Sequence, residues 1–395
     1  GLGPIQSNEI YHGETIDNRL QKTGWALPVY DDSAWAAVKV ASYNNDNLIP
    51  TVNEPVKKHE IIKPVKIITT PKGEKVIDFG QNMVGWVIVK ARGKAGDHIT
   101  IKHTEVLDKE GNFYTANLRS AKATADYILA GNSEETFEPH FTFYGFRYIM
   151  VDGYPGELLP ENFTAVVLHS AMKPAGTFSC SNPLLNQLQH NITWGQKGNF
   201  LDVPTDCPQR DERLGWTGDA QAFFRTATFN FNVKNFFTKW MKDVAADQRA
   251  DGAIPHVIPD VLNGDGGATG WAEVSTIIPW QMYEVYGDKQ ILTDQYASMK
   301  AWVGYMESHT DTSGLYRFGD HFGDWLSYRP GNDNGSDAIT DKYEIAQCFF
   351  AHSTQLMINA AKVLNKPDNV AKHEALLKRI KTAYNKEYVT ASGRL

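Results

Sequence analysis

The spacing of hydrophobic and polar positions changes near residue 175. Before this point, short runs of valine, isoleucine, threonine and aromatic residues alternate with glycine, proline, asparagine and aspartate. Short strands at this spacing, separated by turn-forming residues, are typical of an all-β sandwich. The predicted strands cover residues 64–69, 75–78, 84–91, 98–103 and 146–151.

From residue 176 onwards, apolar residues recur at intervals of three and four over long windows, which predicts helices. Pro183 and Pro367 fall in the first turn of two of them, where proline is tolerated. Long connections at residues 263–270 and 314–341 alternate with helix pairs, which is typical of an α/α-toroid with its active site in the loops at one end. The predicted helices cover residues 182–199, 217–230, 232–249, 271–286, 288–309, 341–364 and 367–387.

The composition narrows the class of protein. With 395 residues, of which 42% are hydrophobic, the chain should form more than one domain. A formal net charge of −7 without long runs of one sign argues against a nucleic-acid partner and fits a neutral or weakly acidic ligand. No apolar run of about eighteen residues predicts a membrane span, and the first residues do not resemble a signal peptide. We expect a soluble protein in an undetermined compartment.

The three cysteines do not indicate a disulfide framework. An odd number in so long a chain leaves at least one free thiol, and Cys207 is interpreted as a free structural cysteine. The histidines are scattered, without the spacing of metal ligands. The sequence therefore predicts no metal and no cofactor.

An acidic segment, residues 202–219, reads DVPTDCPQRDERLGWTGD and carries five carboxylates within eighteen positions. Pro204, Pro208 and Gly215 predict a loop that leads into a helix near residue 217. Clustered carboxylates raise one another's pKa, which can keep one of them protonated near neutral pH as a general acid. Glycoside hydrolysis needs such an acid and a second carboxylate opposite it.

A second interpretation of this segment is a solvated loop in which Arg210 and Arg213 neutralise Asp211 and Glu212. The Cys-Pro, Gly-Trp and Gly-Asp pairs have no reason to accompany such a surface. Their presence favours a functional loop.

The segment closely resembles the central motif of the α-L-rhamnosidases of glycoside hydrolase family 78. The resemblance implies that Glu212 is the general acid and that Asp206, Trp216 and Asp219 bind the terminal sugar. Taken alone, Trp216 would also suit a hydrophobic core. Two further candidates for substrate contact in the segment are Arg210 and Asp211.

Two later tryptophans, Trp271 and Trp325, stand where family members place tryptophans around rhamnose. The methyl group and C–H faces of this 6-deoxy sugar favour aromatic contact. For each tryptophan, packing at a helix start explains the residue equally well, and Asp324 also suits a plain turn. Glu273 and Glu284 match no family position, and salt bridging on a helix surface explains them.

The resemblance also implies a multidomain architecture of β-sandwich domains followed by an (α/α)6-toroid catalytic domain. Residues 74–95 and 141–148 resemble the family's β-domain, and residues 8–15 resemble the end of its N-terminal carbohydrate-binding-like domain. The expected organisation is the end of that N-terminal domain at 1–55, a β-sandwich domain at 56–175 and the first part of the barrel at 176–395.

The family's barrel has twelve helices, and seven are predicted here. We therefore expect a toroid that is only partly present, with the general base in a later loop beyond this sequence. Such an open arc of helices should expose apolar faces and be poorly stable or self-associating.

The function implied by the resemblance is hydrolysis of terminal, non-reducing α-L-rhamnose from rhamnosides by an inverting acid/base mechanism. The expected ligands are rhamnose-containing glycosides or oligosaccharides, with no nucleic-acid or membrane partner and an undetermined oligomeric state. Two alternatives remain open: another α/α-barrel glycosidase or glycoside phosphorylase, and a non-catalytic carbohydrate-binding relative. Substrate choice, phosphate dependence and turnover would separate them.

Overall fold

A computed structural model describes residues 3–46, 48–132, 134–264, 266–327 and 338–395. The predicted connection at 314–341 lies partly outside these residues. The first part of the chain is rich in β-strands and the second in helices, as the sequence predicts. Ten strands in the described ranges form one mixed sheet: β1 Ile5–Glu9, β2 Gly13–Asp17, β3 Val56–Ile62, β4 Lys66–Thr69, β5 Lys75–Ala91, β6 His98–Thr104, β7 Thr124–Ile128, β8 Glu135–Phe137, β9 Tyr144–Asp152 and β10 Phe163–Ser170.

The long strand β5 connects the sheet. The main path runs β1-β2-β7-β6-β9-β5-β10-β3, and β4 and β8 also pair with β5. Two separate predicted strands, 75–78 and 84–91, are therefore one strand with a shift of register between Asp78 and Met83. Gly80, with φ of 76°, takes the left-handed backbone conformation within this irregular stretch.

Strand β2 joins the beginning of the chain to this sheet. It pairs in parallel with β7, from Gly13 opposite Thr124 to Asp17 opposite Ile128, whereas the other pairs of the sheet are antiparallel. Residues 5–17 thus form part of the same β-structure as residues 56–170.

All seven predicted helices are present. The apolar positions of the second to the seventh helix meet in one core, where Phe224, Phe236, Phe237, Trp240 and Trp302 are fully buried, whereas Trp194 of the first helix packs against the core of the sheet. Among the described residues, none of the helices combines the length and apolar character that a membrane crossing requires. The helices are α1 Pro183–Asn199, α2 Thr217–Asn230, α3 Lys234–Asp247, α4 Val274–Tyr286, α5 Lys289–Ser308, α6 Lys342–Val363 and α7 Pro367–Tyr388.

Helix α1 lies against the sheet and connects the two parts of the molecule. Asn182 caps its N-terminus by accepting from the Leu184 amide, and α1 packs on β5 and β10. A Cβ atom at Gly198 would fall 2.7 Å from the Val84 side chain, so the helix approaches the sheet closely at its last turn. Near its N-terminus, α1 exposes Leu184, Leu185 and Leu188.

Candidate functional site

The acidic segment is the loop between α1 and α2. This loop begins with a short hairpin, in which Phe200–Leu201 pair with Val203–Pro204. Asp202 lies at the turn of the hairpin and has a φ of 71°. The ring of Phe200 stacks on Phe236 at 4.7 Å, which anchors the start of the loop in the helical core. The loop ends at Trp216, immediately before α2.

Arg213 attaches this loop to the β-part. Its side chain is buried, and its guanidinium donates to four backbone carbonyls, those of Ile10 at 2.7 Å, Phe143 at 2.8 Å, Gln209 at 3.0 Å and Arg210 at 3.1 Å. No described carboxylate forms a salt bridge with it, so the idea that Arg213 neutralises the acidic segment is wrong. The sequence offers no signal for this role, because the partners are backbone atoms of distant residues.

The backbone of Glu212 is also held from the β-part. The Tyr11 hydroxyl donates to the Glu212 carbonyl at 2.7 Å. On the other side, Gly145 lies so close to Gln209 that a Cβ atom there would fall 2.9 Å from the Gln209 Cβ. The loop is therefore seated directly on the sheet.

Three residues of the loop form a connected charged group. Arg210 donates from Nε to Glu212 Oε2 at 2.9 Å and from Nη2 to Asp206 Oδ2 at 2.9 Å. The other Asp206 oxygen accepts from the Leu214 amide at 2.9 Å. Arg119, from the β-part, donates to the same Glu212 oxygen at 3.0 Å. Among the described residues, none hydrogen-bonds to Glu212 Oε1.

The two arginines determine the charge of Glu212. Burial by itself raises the pKa of Glu212, but the hydrogen bonds and charges of Arg210 and Arg119 outweigh it and leave this pKa below the usual value. The expectation that neighbouring carboxylates keep Glu212 protonated therefore does not hold in the ligand-free structure. Sequence reasoning missed Arg119, which is ninety-three positions away.

The proton affinity is instead increased at Asp206 and Asp219. Burial raises the pKa of Asp206, and the nearby Glu212 carboxylate adds to this effect. The pKa of Asp219 is raised by desolvation and by the charges of Asp206 and Glu212, although part of its surface meets solvent. Asp219 lies in the first turn of α2, and no side-chain bond links it to another described residue.

Asp211 points towards the β-part. Its carboxylate accepts from the backbone amide of Ser120 at 3.1 Å and from the Ser120 hydroxyl, and Arg119 lies 3.8 Å away. The Ser120 hydrogen bonds lower the pKa of Asp211 below its usual value. Asp211 therefore connects the acidic segment to the β-part.

The three candidate tryptophans meet around Phe322. The centroid of the Phe322 ring lies 4.4 Å from Trp271, 5.7 Å from Trp325 and 6.4 Å from Trp216. The indole N–H groups of Trp216 and Trp271 are buried without a hydrogen-bond partner among the described residues. Trp325 is 47% exposed. Phe322 was not predicted as a site residue, although its position three residues before Trp325 was the available signal.

Trp271 is positioned by its neighbours in sequence and space. A Cβ atom at Gly218 would fall 2.6 Å from the Trp271 ring, so only glycine allows the ring to lie on the start of α2. Gln221 donates to the Gly270 carbonyl, and Glu273 accepts from the Gly270 amide. By contrast, the Asp324 carbonyl accepts from the Ser327 amide in a local turn, and its carboxylate accepts from the Ile339 and Thr340 amides.

Glu273 differs from the expectation of a surface salt bridge. It is wholly buried at the start of α4, and burial raises its pKa to about 8. Its Oε2 is bound by the Gly270 amide and its Oε1 has no partner in the described part of the chain. The reason is that α4 is a central helix, apolar around most of its surface. Glu284, further along α4, is exposed as expected.

One group of side chains has the composition of a metal site. Ligand atoms of Asp206, Cys207 and Glu212 lie within 4.8 Å of one another. The Arg210 guanidinium already binds both carboxylates. Burial raises the pKa of the Cys207 thiol to about 12, which keeps it protonated and a weak ligand. These contacts agree with the interpretation of Cys207 as a structural cysteine.

A carboxylate loop beside a cluster of tryptophans, presented by paired helices, is the arrangement of a glycosidase domain. Family profiles agree over almost the whole chain: the bacterial alpha-L-rhamnosidase 6 hairpin glycosidase domain matches residues 173–395, the concanavalin-like domain matches 68–169, and the alpha-L-rhamnosidase N-terminal domain matches 1–60. The chain belongs to the bacterial α-L-rhamnosidase family.

Individual relatives support this membership. The chain is 44% identical over 395 residues to an alpha-L-rhamnosidase of Streptomyces avermitilis and 40% identical over 389 residues to one of Formosa agariphila. These alignments cover 100% and 98% of this chain but only 37% and 42% of the relatives, so the chain spans well under half of their length.

Solved structures give the same result. A crystal structure of the Streptomyces avermitilis alpha-L-rhamnosidase complexed with L-rhamnose superposes with a TM-score of 0.92 at 42% identity, over 100% of this chain and 37% of that one. The native enzyme from Aspergillus terreus superposes with a TM-score of 0.93 at 37% identity, over 99% of this chain and 46% of that one.

Proposed function

We propose that this chain is part of an enzyme that hydrolyses terminal α-L-rhamnosyl groups from rhamnosides with inversion. The observation that carries the proposal is Glu212, whose Oε2 is fixed by two arginines while Oε1 has no partner among the described residues. A general acid needs such an oxygen, free to reach the glycosidic oxygen of a substrate. The relative crystallised with L-rhamnose supports the choice of sugar.

Glu212, once protonated, would donate to the glycosidic oxygen as the bond to the sugar breaks through an oxocarbenium-like state. Asp206 and Asp219 would bind sugar hydroxyls. Asp206, which is largely buried, and Asp219, which is exposed in the first turn of α2, both have pKa values raised by desolvation and by neighbouring acids. Trp216 and Trp271, joined through Phe322, would pack against the C–H faces and methyl group of rhamnose.

The remaining candidates have different roles in this proposal. Trp325, the most exposed of the tryptophans, would contact the sugar from the rim. Arg210 would orient Asp206 and Glu212 as well as approach the substrate, since it already binds both carboxylates. Asp211 would act through the attachment of the loop to Ser120.

An inverting mechanism needs a general base roughly 6.5–9.5 Å from the acid, on the opposite face of the sugar. We assign this role to no residue of the chain. The family resemblance puts the base in a later loop than those present here, within an (α/α)6 barrel of which residues 176–395 are the first part. In the same proposal, residues 56–175 form a β-sandwich domain and residues 1–55 the end of an N-terminal β-domain.

The test is release of nitrophenol from an aryl α-L-rhamnopyranoside by the full-length gene product. We expect turnover in the wild type and a loss of about 10²–10⁴-fold in Glu212→Ala. Glu284→Ala, an exposed glutamate on α4, is the matched control and should retain activity. Proton NMR of the first sugar anomer released tests inversion.

Other outcomes would replace the proposal. A folded wild-type protein that binds rhamnose without turnover would be a carbohydrate-binding relative. Turnover that requires phosphate would indicate a phosphorylase, and turnover of other glycosides alone would indicate a different glycosidase.

A further inference from the structure

The loop that follows β6 in the β-part contains two residues with an unusual backbone. Arg119 has φ of 58° and Ala123 has φ of 45°, a region that residues with a side chain rarely adopt. Such conformations are strained and persist where the surrounding structure imposes them. Arg119 follows a short 3-10 helix, Ala116–Leu118, whose Leu118 is buried beneath it.

This loop reaches the candidate acid across the boundary between the two parts. Arg119 Nη1 lies 3.0 Å from Glu212 Oε2 and 3.8 Å from Asp211 Oδ1. The next residue, Ser120, binds Asp211 through its amide and its hydroxyl. The strained backbone therefore directs two consecutive residues onto the acidic segment.

The two arginines on Glu212 are not equivalent. Arg210 belongs to the same loop as Glu212, is 27% exposed and also binds Asp206. Arg119 is 57% exposed, and its described ion-pair partners are Asp211 and Glu212. A ligand could therefore displace Arg119 from Glu212 without breaking the ion pairs within the acidic segment.

Glu212 faces several other charged or titratable groups. Those in its own loop are Asp206, Cys207, Arg210 and Asp211. Asp219 approaches from the first turn of α2. The β-part contributes Arg119, which binds the Glu212 carboxylate, and Tyr11, whose hydroxyl donates to the Glu212 backbone carbonyl. Arg119 can be replaced without changing the sequence of the loop that carries the acid.

We propose that Arg119 is a positioning residue that holds Glu212 before substrate binds and is displaced from it by the leaving-group part of the substrate. This inference rests on the proposed function of Glu212 as the acid. Glu212 donates to the oxygen between the sugar and the leaving group. Because Asp206, Asp219 and the tryptophans are assigned to the sugar, the leaving group is the part of the substrate that meets Arg119.

The proton balance follows from this displacement. As the guanidinium leaves, the Glu212 carboxylate takes up one proton from solvent. It then transfers this proton to the glycosidic oxygen while the bond between that oxygen and the anomeric carbon breaks. The leaving group departs as an alcohol, and a water molecule adds its hydroxyl group to the anomeric carbon. The other proton of this water goes to the general base and then to solvent, which balances the proton taken up, and Glu212 returns to the carboxylate that Arg119 binds.

The experiment compares the pH dependence of kcat/KM and of kcat in the full-length protein for the wild type, Arg119→Ala and Arg119→Lys. The first parameter reports the acid in the free enzyme and the second reports it in the substrate complex. For Arg119→Ala, we expect the limb of kcat/KM that falls with rising pH to move up by about one pH unit, with the kcat limb unchanged. Arg119→Lys should show a smaller upward shift of this limb than Arg119→Ala, since lysine keeps the positive charge. Arg92→Ala, an exposed arginine of the β-part paired with Glu134, should match the wild type.

Each other result contradicts a defined claim. If neither limb moves in Arg119→Ala, Arg119 does not position the acid. If both limbs move equally, Arg119 stays on Glu212 in the complex and the displacement is wrong. If the wild type shows no turnover, the proposed function is wrong, but this result does not contradict the contact between Arg119 and Glu212. In that case, carbon-13 NMR titration of Glu212 still tests the contact: the Glu212 pKa should rise in Arg119→Ala, and an unchanged value overturns the inference.

Discussion

The phenolic hydroxyl of Tyr11 donates to the backbone carbonyl of Glu212 at 2.7 Å, although 201 positions separate the two residues. This bond lies between the turn that connects β1 to β2 and the loop before α2. It holds the main chain of the candidate acid, whereas Arg210 and Arg119 hold its carboxylate. The orientation of Glu212 therefore depends on both parts of the chain.

Tyr11→Phe removes this bond and leaves the ring in place. We expect a loss of about 1 kcal/mol in the stabilisation of the loop, equivalent to a roughly fivefold decrease in kcat/KM for an aryl rhamnoside. Steady-state kinetics would measure it. Tyr114→Phe, at an exposed tyrosine of the β-part, is the control and should leave kcat/KM unchanged. Equal kinetics for the two variants would show that this bond does not orient the acid.

Arg213→Lys should destabilise the protein. Lysine cannot reproduce the planar fork that binds four carbonyls, so some of these carbonyls lose their donor, at a cost of about 2 kcal/mol. Chemical denaturation would give the change in the free energy of unfolding. Arg225→Lys, at an exposed arginine of α2, should change it by less than about 0.5 kcal/mol. A stable Arg213→Lys protein would mean that the network is not needed to hold the loop.

Gly218→Ala should impair binding more than folding. The added Cβ would fall 2.6 Å from the Trp271 ring, which must then move away from the start of α2. A displacement of about 1 Å in a site is sufficient for a loss on the order of 10²-fold in kcat/KM. Kinetics and rhamnose binding by calorimetry would both report it.

Gly195→Ala is the matched control for this change. Gly195 also lies in a helix, α1, but a Cβ atom there meets nothing within 4 Å. Alanine should stabilise that helix by roughly 0.5–1 kcal/mol without changing rhamnose binding. If the two variants bind rhamnose equally well, the position of Trp271 does not matter for the ligand.

Glu273→Gln should alter the pH dependence of stability. The folded-state pKa of Glu273 is raised to about 8, whereas an unfolded glutamate titrates at about 4.3. Between these values the folded state retains a proton that the unfolded state has released. The free energy of unfolding therefore falls as pH rises, by up to about 1.4 kcal/mol per pH unit, and this term is fully favourable only below the lower value.

Glutamine is neutral throughout this range, so Glu273→Gln should lose that decline and be the more stable protein near pH 8. Denaturation midpoints from pH 5 to about 8 would show this. Glu284→Gln, on the exposed face of the same helix, should follow the wild type. Parallel curves for wild type and Glu273→Gln would contradict a protonated, buried Glu273.

The helices were predictable because they are long and amphipathic, and two of them carry proline in the first turn, at Pro183 and Pro367. Several strands were not. The strand Phe163–Ser170 is buried on both faces for most of its length, so it lacks the alternation that marks a half-exposed strand. The strand Gly13–Asp17 is short and polar in sequence, and its parallel pairing with β7 depends on residues far along the chain.

The candidate site was also only partly predictable from the sequence. Asp206, Glu212 and Trp216 lie in one segment, so their proximity follows from the sequence. The charge state of Glu212 does not follow from the segment alone, because burial raises its pKa whereas Arg210 and, from a distant loop, Arg119 bring this pKa below the usual value. Local reasoning therefore located the carboxyl group but misjudged its proton affinity.

Arg213 has a consequence for the order of events during protein synthesis. Two of the carbonyls that bind its guanidinium, at Ile10 and Phe143, belong to the part of the chain that leaves the ribosome first. The β-structure can thus be complete before the acidic loop is translated, and it then serves as the template on which that loop folds. Helices produced without the β-structure would form their own core, but the acidic loop would lack the contacts that fix its conformation.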